Sequence, residues 1–125
     1  VSRLVNFGLG EVCDRLTILA LKILHGEVKG IDVTHFQRER AALLPKLLAA
    51  SAGRWTEHYS DLAAVNSALW QAEDRLRGYK QEGTKVSHRE EIIECAFRIQ
   101  EWNDRRAALI QSINALVGDA VQEKV

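Results

Sequence analysis

At 125 residues, with 46% hydrophobic and 27% charged side chains, the chain is sized for a single domain with its own core and is not a disordered polymer. Its 17 Lys and Arg balance 17 Asp and Glu, so the formal net charge is zero. That balance speaks against nucleic acid and against an anionic membrane surface, both of which require clustered positive charge. One proline and eight glycines are too little turn material for an all-β fold.

Hydrophobic periodicity predicts four helices. Leu9, Val12, Cys13, Leu16, Leu19, Ala20, Ile23 and Leu24 fall in one broad arc at 100° per residue, giving a first helix from about Leu9 to His25 that ends at Gly26. A turn-like segment over 26–33, with Gly30, follows. Thr34 reads as the N-cap of a second helix over about His35–Ala50, in which Pro45 should cause a kink or a break near Leu44. A third helix starts near Thr56, after Gly53, with Leu62, Val65, Leu69, Ala72, Leu76 and Tyr79 at alternating steps of three and four. Ser87 with Glu90 forms an S-x-x-E capping box for a fourth helix running to about Val117. Its seam is Ile92, Cys95, Ile99, Trp102, Arg106, Leu109, Ile113 and Leu116. The last two helices would each be roughly 40 Å long, and a short loop near 81–86 makes them an antiparallel hairpin. The expected fold is all-α: a four-helix up-and-down bundle built on that hairpin, a single helical domain over residues 1–125.

Polar residues inside these seams are the candidate site. In GEVCDRLTIL, residues 10–19, three ions directly precede an apolar stretch. Glu11, Arg15, Ile18 and Lys22 lie nearly on one line, with Asp14 and Leu21 beside it. A solvent-facing side would strand Ile18 and Leu21, whereas full burial would leave Glu11 and Asp14 without partners at several kcal/mol each. A central first helix, covered on both sides near Ile18, reconciles the two. Its acidic end would then meet a basic or amide-rich surface. The bland alternative is an exposed Glu11–Arg15 pair worth ~0.3–0.5 kcal/mol. Arg106 supplies the basic surface from within the fourth helix's seam, bordered by Asn103 and Asn114. The third helix offers Asn66, Trp70, Glu73 and Arg77 along one flank, with Asn66 level with Asn103. Such groups must be hydrogen-bonded when buried. They would either fix helix register or line a ligand pocket. The expected bonds run from Arg106 to at least one of Glu11, Asp14 and Glu73, with Asn66 or Asn103 alongside.

At these residues a resemblance emerges. GEVCDRLTIL, VNSALWQAEDRLR and NDRRAALIQSIN are together similar to a family of small bacterial all-helical proteins, a domain of unknown function typified by a GE-x-x-DKLTIL opening. The resemblance spans nearly the whole chain. Glu11, Asp14, Asn66, Trp70, Glu73, Asp74, Asn103, Asp104 and Arg106 match its motif positions, while Arg15 replaces the expected lysine, keeping charge but not geometry. The resemblance implies a protein sometimes encoded near glycosyltransferase and surface-polysaccharide genes. It carries no catalytic residues across.

A sharper enzymatic reading comes from REEIIECAFRIQEWND, residues 89–104. Glu90, Glu91 and Glu94 form E-E-x-x-E, and Glu101 with Asp104 forms E-x-x-D, similar to the magnesium site of all-α nucleotide pyrophosphohydrolases. In that family the two motifs occupy neighbouring helices, whereas here they share one. By angle they face away from the seam, where Glu94–Arg98 and Glu101–Arg105 read as i,i+4 pairs. A variant would draw Glu11, Asp14 and Glu73 together across helices. His25, His35, His58 and His88 share no face or ligand spacing, and no metal or cofactor is expected.

The competing class is a binding or protein-interaction module. Ile93 and Phe97 lie on the outer side of the fourth helix and would form an apolar patch unless covered, extended by Trp55 and Tyr59. A homodimer through exposed hairpin surface is the expected assembly, and a protein partner fits the same patch. Cys13 and Cys95, far apart and without CxxC neighbours, read as reduced core thiols. No apolar run approaches the ~20 residues that span a bilayer. The stretch VSRLVNFGLGEV lacks a signal peptide's apolar core, and the absence of methionine means Val1 is not the translated start. The expected location is the cytoplasm.

Overall fold

A computed structural model describes residues 8–51, 53–83 and 85–118. The reading of residues 1–7 as free of a signal peptide lies outside them. Four helices account for nearly all of the described chain: α1 (Leu9–Val28), α2 (Thr34–Ala49), α3 (Trp55–Gln81) and α4 (Arg89–Val117). No strand occurs among the described residues. None of these helices is long and apolar enough to cross a membrane. The all-α bundle built on a long α3–α4 hairpin is therefore the observed architecture.

Its layering follows from α1, which is buried on two sides. Leu9 and Cys13 face the hairpin and join Leu62, Leu69, Leu109 and Ile113 in the main core. Val12, Leu16 and Leu19, on the adjoining part of the same arc, pack on Leu43 of α2, with Phe36 and Leu44 behind. The helix is thus central, as the mixed charge and apolar pattern of residues 10–21 requires, and Ile18 and Leu21 are half-buried. α2 leans on α1 rather than on the hairpin, which leaves the hairpin covered on one face only.

Several boundaries depart from the periodicity. α1 continues past Gly26 because that glycine is a packing position: a Cβ there would lie 2.5 Å from Val33 Cγ1. The helix stops one turn later at Gly30, whose φ of 73° suits the left-handed turn. The Ile31 N–H donates to the Gly26 carbonyl at 2.8 Å and the Gly30 N–H to that of Glu27 at 3.1 Å, a Schellman closure. Thr34 is the first residue of α2 rather than its cap. Val33 is the N-cap and offers no side-chain bond; Asp32, one residue earlier, accepts from Thr34 N–H at 3.0 Å and from its hydroxyl at 2.6 Å. Pro45 neither ends nor splits α2. It sits one turn from the helix end on the exposed side, where the carbonyl it leaves unpaired, that of Ala41, reaches water. The Ser87–Glu90 box does not form. Residues Val86–His88 make one 3₁₀ turn that runs straight into α4, which has no side-chain cap. In the α4 seam, Leu116, one residue from the helix end, is 47% exposed.

Candidate functional site

Where α1, α3 and α4 meet, Asp14 is the hub. It is carried into the interior because Leu9, Cys13 and Thr17 flank it on the hairpin side of α1. Its side chain is only 10% exposed. Arg106 grips it from α4 as a fork, donating from Nε to Oδ1 at 2.8 Å and from Nη2 to Oδ2 at 2.6 Å. Asn66 on α3 donates its amide to Asp14 Oδ1 at 2.9 Å and to Thr17 Oγ1 at 2.7 Å. The Thr17 hydroxyl donates in turn to the backbone carbonyl of Asp14 at 2.8 Å. This bonding to Asp14 holds the Arg106 guanidinium above its ordinary range, against burial that would lower it, with the charge of Glu73 contributing. The guanidinium itself is 34% exposed, so it bridges the interior and water rather than being buried outright.

A second cluster lies two turns down. Asn114 of α4 accepts from the Gly10 N–H at 2.6 Å and donates to Glu11 Oε1 at 2.9 Å. It thereby satisfies one of the orphan donors at the start of α1 and the carboxylate beside it. The approach is so close that a Cβ on Gly10 would collide with the Ile110 carbonyl oxygen, and one on Gly8 would lie 2.5 Å from Asn114 Oδ1. On the opposite side of α1, Arg15 pairs with Glu39 of α2 through two bonds of 2.6 and 2.8 Å. That contact raises the Arg15 guanidinium and depresses the Glu39 carboxyl. Arg15 is thus bonded across helices and not to Glu11.

The expected residues are brought together in part. Asp14, Asn66 and Arg106 form one network. Glu11 belongs to the Asn114 cluster instead. Trp70 stacks on His25, ring centroids 4.6 Å apart and planes 9° apart. Glu73 and Asn103 are exposed, and Asn103 makes no hydrogen bond to Asn66 or to α1 among the described residues. Asn114, an amide bordering the Arg106 seam, takes part through Gly10 and Glu11 rather than through Arg106. Thr17 and His25 lie outside the expected set: the hydroxyl one turn after Asp14 is a signal for the first, but nothing in the spacing pairs His25 with Trp70.

The other proposed chemistry is not assembled. Glu90, Glu91, Glu94, Glu101 and Asp104 are exposed on α4, and Glu94 is bonded to Arg98 at 3.0 Å. Arg105 reaches across to Asp61 at 3.9 Å rather than back to Glu101. Glu11 is bonded to Asn114 and Asp14 to Arg106, while Glu73 is exposed and acts on Arg106 only through its charge. Among the described residues, no group of three or more His, Cys, Asp or Glu side chains is placed to hold a metal ion. Cys13 is fully buried, and burial, with Asp14 adding, pushes its thiol up to about 12. Trp55 is buried and Tyr59 packs against the core, so neither extends an outer aromatic patch. Ile93 and Phe97, by contrast, are 49% and 64% exposed. The cavities lie elsewhere than the polar network. One of about 590 Å³ sits between the start of α1 and α3 and the end of α2 and α4, lined by Leu9, Ala50, Trp55 and Leu116. Two more lie on the uncovered side of the hairpin. Set against known protein families, curated proteins and solved structures, the chain matches none.

Proposed function

We propose that this protein is a protein-interaction module rather than an enzyme, with its polar network serving to fix how α1 docks on the hairpin. One observation carries the reading: both oxygens of Asp14 are occupied by Arg106, Oδ1 also by Asn66, and none of the three cavities described above is lined by these residues. A buried polar network satisfied from within specifies register; a reactive centre needs a group aimed at substrate. The exposed pair Ile93 and Phe97 supports a docking role for the hairpin's outer surfaces.

The resemblance to the GE-x-x-DKLTIL family is read in the same way. Gly10, Glu11, Asp14, Arg15 and Thr17 of that opening each make a contact between α1 and a neighbouring helix or support one. The motif then marks a docking surface inside a bacterial helical domain. Unpaired, buried Cys13 and Cys95 support a reducing compartment such as the cytoplasm.

The test is hydrolytic. Incubation with a panel of nucleoside triphosphates and Mg²⁺ or Mn²⁺ should release no pyrophosphate above the protein-free rate. Release that disappears in Glu94→Gln or Glu11→Gln would replace the interaction reading with a pyrophosphohydrolase.

A further inference from the structure

Most helices of a bundle are covered by neighbours on more than one side, yet the α3–α4 hairpin carries α1 on one face and nothing among the described residues on the other. That bare face is grooved. Two cavities of about 290 and 690 Å³ run end to end along the α3–α4 seam and share Arg75, Glu94 and Cys95. The floor is apolar, formed by Ala68, Ala72, Cys95 and Trp102. Ala72 and Cys95 are buried there, while Ala68 and Trp102 remain half-buried. The rims are charged.

From this geometry we infer that the groove is the interface for a second copy of this chain, hairpin against hairpin and antiparallel, about a two-fold axis beside Ala68. The inference rests on the interaction-module reading and names its partner.

Charge pattern supports this occupant. A two-fold axis lying in the interface and crossing the helices sets α3 against the partner's α3 and α4 against the partner's α4. Placed at Ala68, it brings Arg75 opposite the partner's Asp61, and the reciprocal pair forms by symmetry. At the same level on α4, it brings Glu91 opposite the partner's Arg105. Arg75 and Glu91 are exposed and have no ion-pair partner among the described residues. Asp61 and Arg105 are joined only by a loose 3.9 Å contact, with side chains 55% and 58% exposed. Four charges thus find opposite charges in one register. Arg98, near the axis, is already neutralised by Glu94, so each copy presents a closed pair there.

Shape agrees with charge. Ala64, Ala68 and Ala72 repeat every four residues on α3, which lets two such helices approach at the short end of the ~8–10 Å packing range. Trp102, which packs against the core and lines the groove, lies one turn from the axis, level with the hollow over the partner's Ala72 and Cys95. The small and large residues alternate in the sense that a self-complementary face needs.

Sedimentation equilibrium of the full chain tests this, with circular dichroism confirming that each variant stays helical. The wild type should show twice the 14.1 kDa chain mass at tens of micromolar. Arg75→Asp should weaken association about tenfold or more by placing like charges opposite, and Asp61→Arg should do the same. The double variant Asp61→Arg/Arg75→Asp should restore it. Positions 61 and 75 lie roughly 21 Å apart along one helix, so rescue can arise only between copies. Ala68→Arg should leave a folded monomer. A wild type that stays at the single-chain mass would overturn the inference, as would failure of the double variant to rescue. A dimer indifferent to these changes but lost in Phe97→Asp would move the interface to the outer side of α4 and overturn it too. None of these outcomes bears on the triphosphate assay, so the two readings fail separately.

Discussion

Arg106→Leu is the most informative perturbation of the network. The substitution removes two charge-assisted bonds of 2.8 and 2.6 Å and leaves Asp14, whose side chain is 10% exposed, with the amide of Asn66 as its remaining side-chain donor. Breaking a fully buried pair from one side costs about 3–5 kcal/mol, whereas an exposed pair is worth about 0–1. Arg106 is itself 34% exposed, so water moderates its share, but the penalty falls on the carboxylate, which water reaches poorly. The expected loss is therefore about 2–3 kcal/mol. Urea unfolding followed by circular dichroism should show a lower midpoint at unchanged slope. Asp14→Asn in the Arg106→Leu background should cost much less than in the wild type, a coupling of about 1–2 kcal/mol. The guanidinium is held above its ordinary range, so it stays charged in any neutral buffer and the effect should be flat in pH there. A loss below about 1 kcal/mol, with no coupling, would refute the register role and would fit a water-filled ligand floor instead.

Two further outcomes follow from the packing and the charges. Gly10→Ala should destabilise by about 1–3 kcal/mol despite alanine's better helix propensity, because the obstructing atom is the Ile110 carbonyl oxygen and not a movable side chain. Gly78→Ala, where an added Cβ meets nothing within 4 Å, should instead stabilise by about 0.5–1 kcal/mol, and urea midpoints for the two should move in opposite directions. Glu39 has a carboxyl depressed below 4.5 by Arg15, so between its two pKa values the unfolded state binds more protons and stability rises with pH. Its contribution should be complete above pH 4.5 and fade as pH falls through the depressed value. Glu39→Gln should remove that part of the acid limb, which is at most about 1 kcal/mol because the pair is partly exposed. An unchanged acid limb in Glu39→Gln would count against the assignment.

Periodicity revealed the helices because burial is nearly one-sided on α3 and α4 and two-sided on α1, and each pattern leaves its own trace. The failures came where a residue type has two competing uses. Gly26 reads as a stop, but its missing Cβ is needed against Val33, and Gly30 is the glycine that needs a positive φ. Ser87 and Glu90 have the spacing of a cap, yet the chain enters α4 through a 3₁₀ turn that removes the extended N-cap conformation such a box requires. Pro45 is disruptive by propensity alone, but it faces solvent near the end of α2, where the lost backbone bond costs little.

The site was legible for a different reason. An arginine at a seam position and an aspartate within an apolar helix each carry a large desolvation cost, so they point to each other across 92 residues of sequence. Amides carry a smaller cost and point nowhere in particular. Asn66, Asn103 and Asn114 all border the seams, and only contact with α1 decides which of them is enclosed. Asn66 and Asn114 are bonded to side chains and backbone of α1 and are buried, whereas Asn103 makes no such bond and is exposed. The same geometry limits what the network can do. It lies beneath α1, while the open surface lies on the other side of α3 and α4, so a partner bound in the hairpin groove never touches Asp14. Weakening Arg106 should therefore lower stability without changing dimer affinity at temperatures where the fold persists. A change at Asp61 or Arg75 should do the reverse.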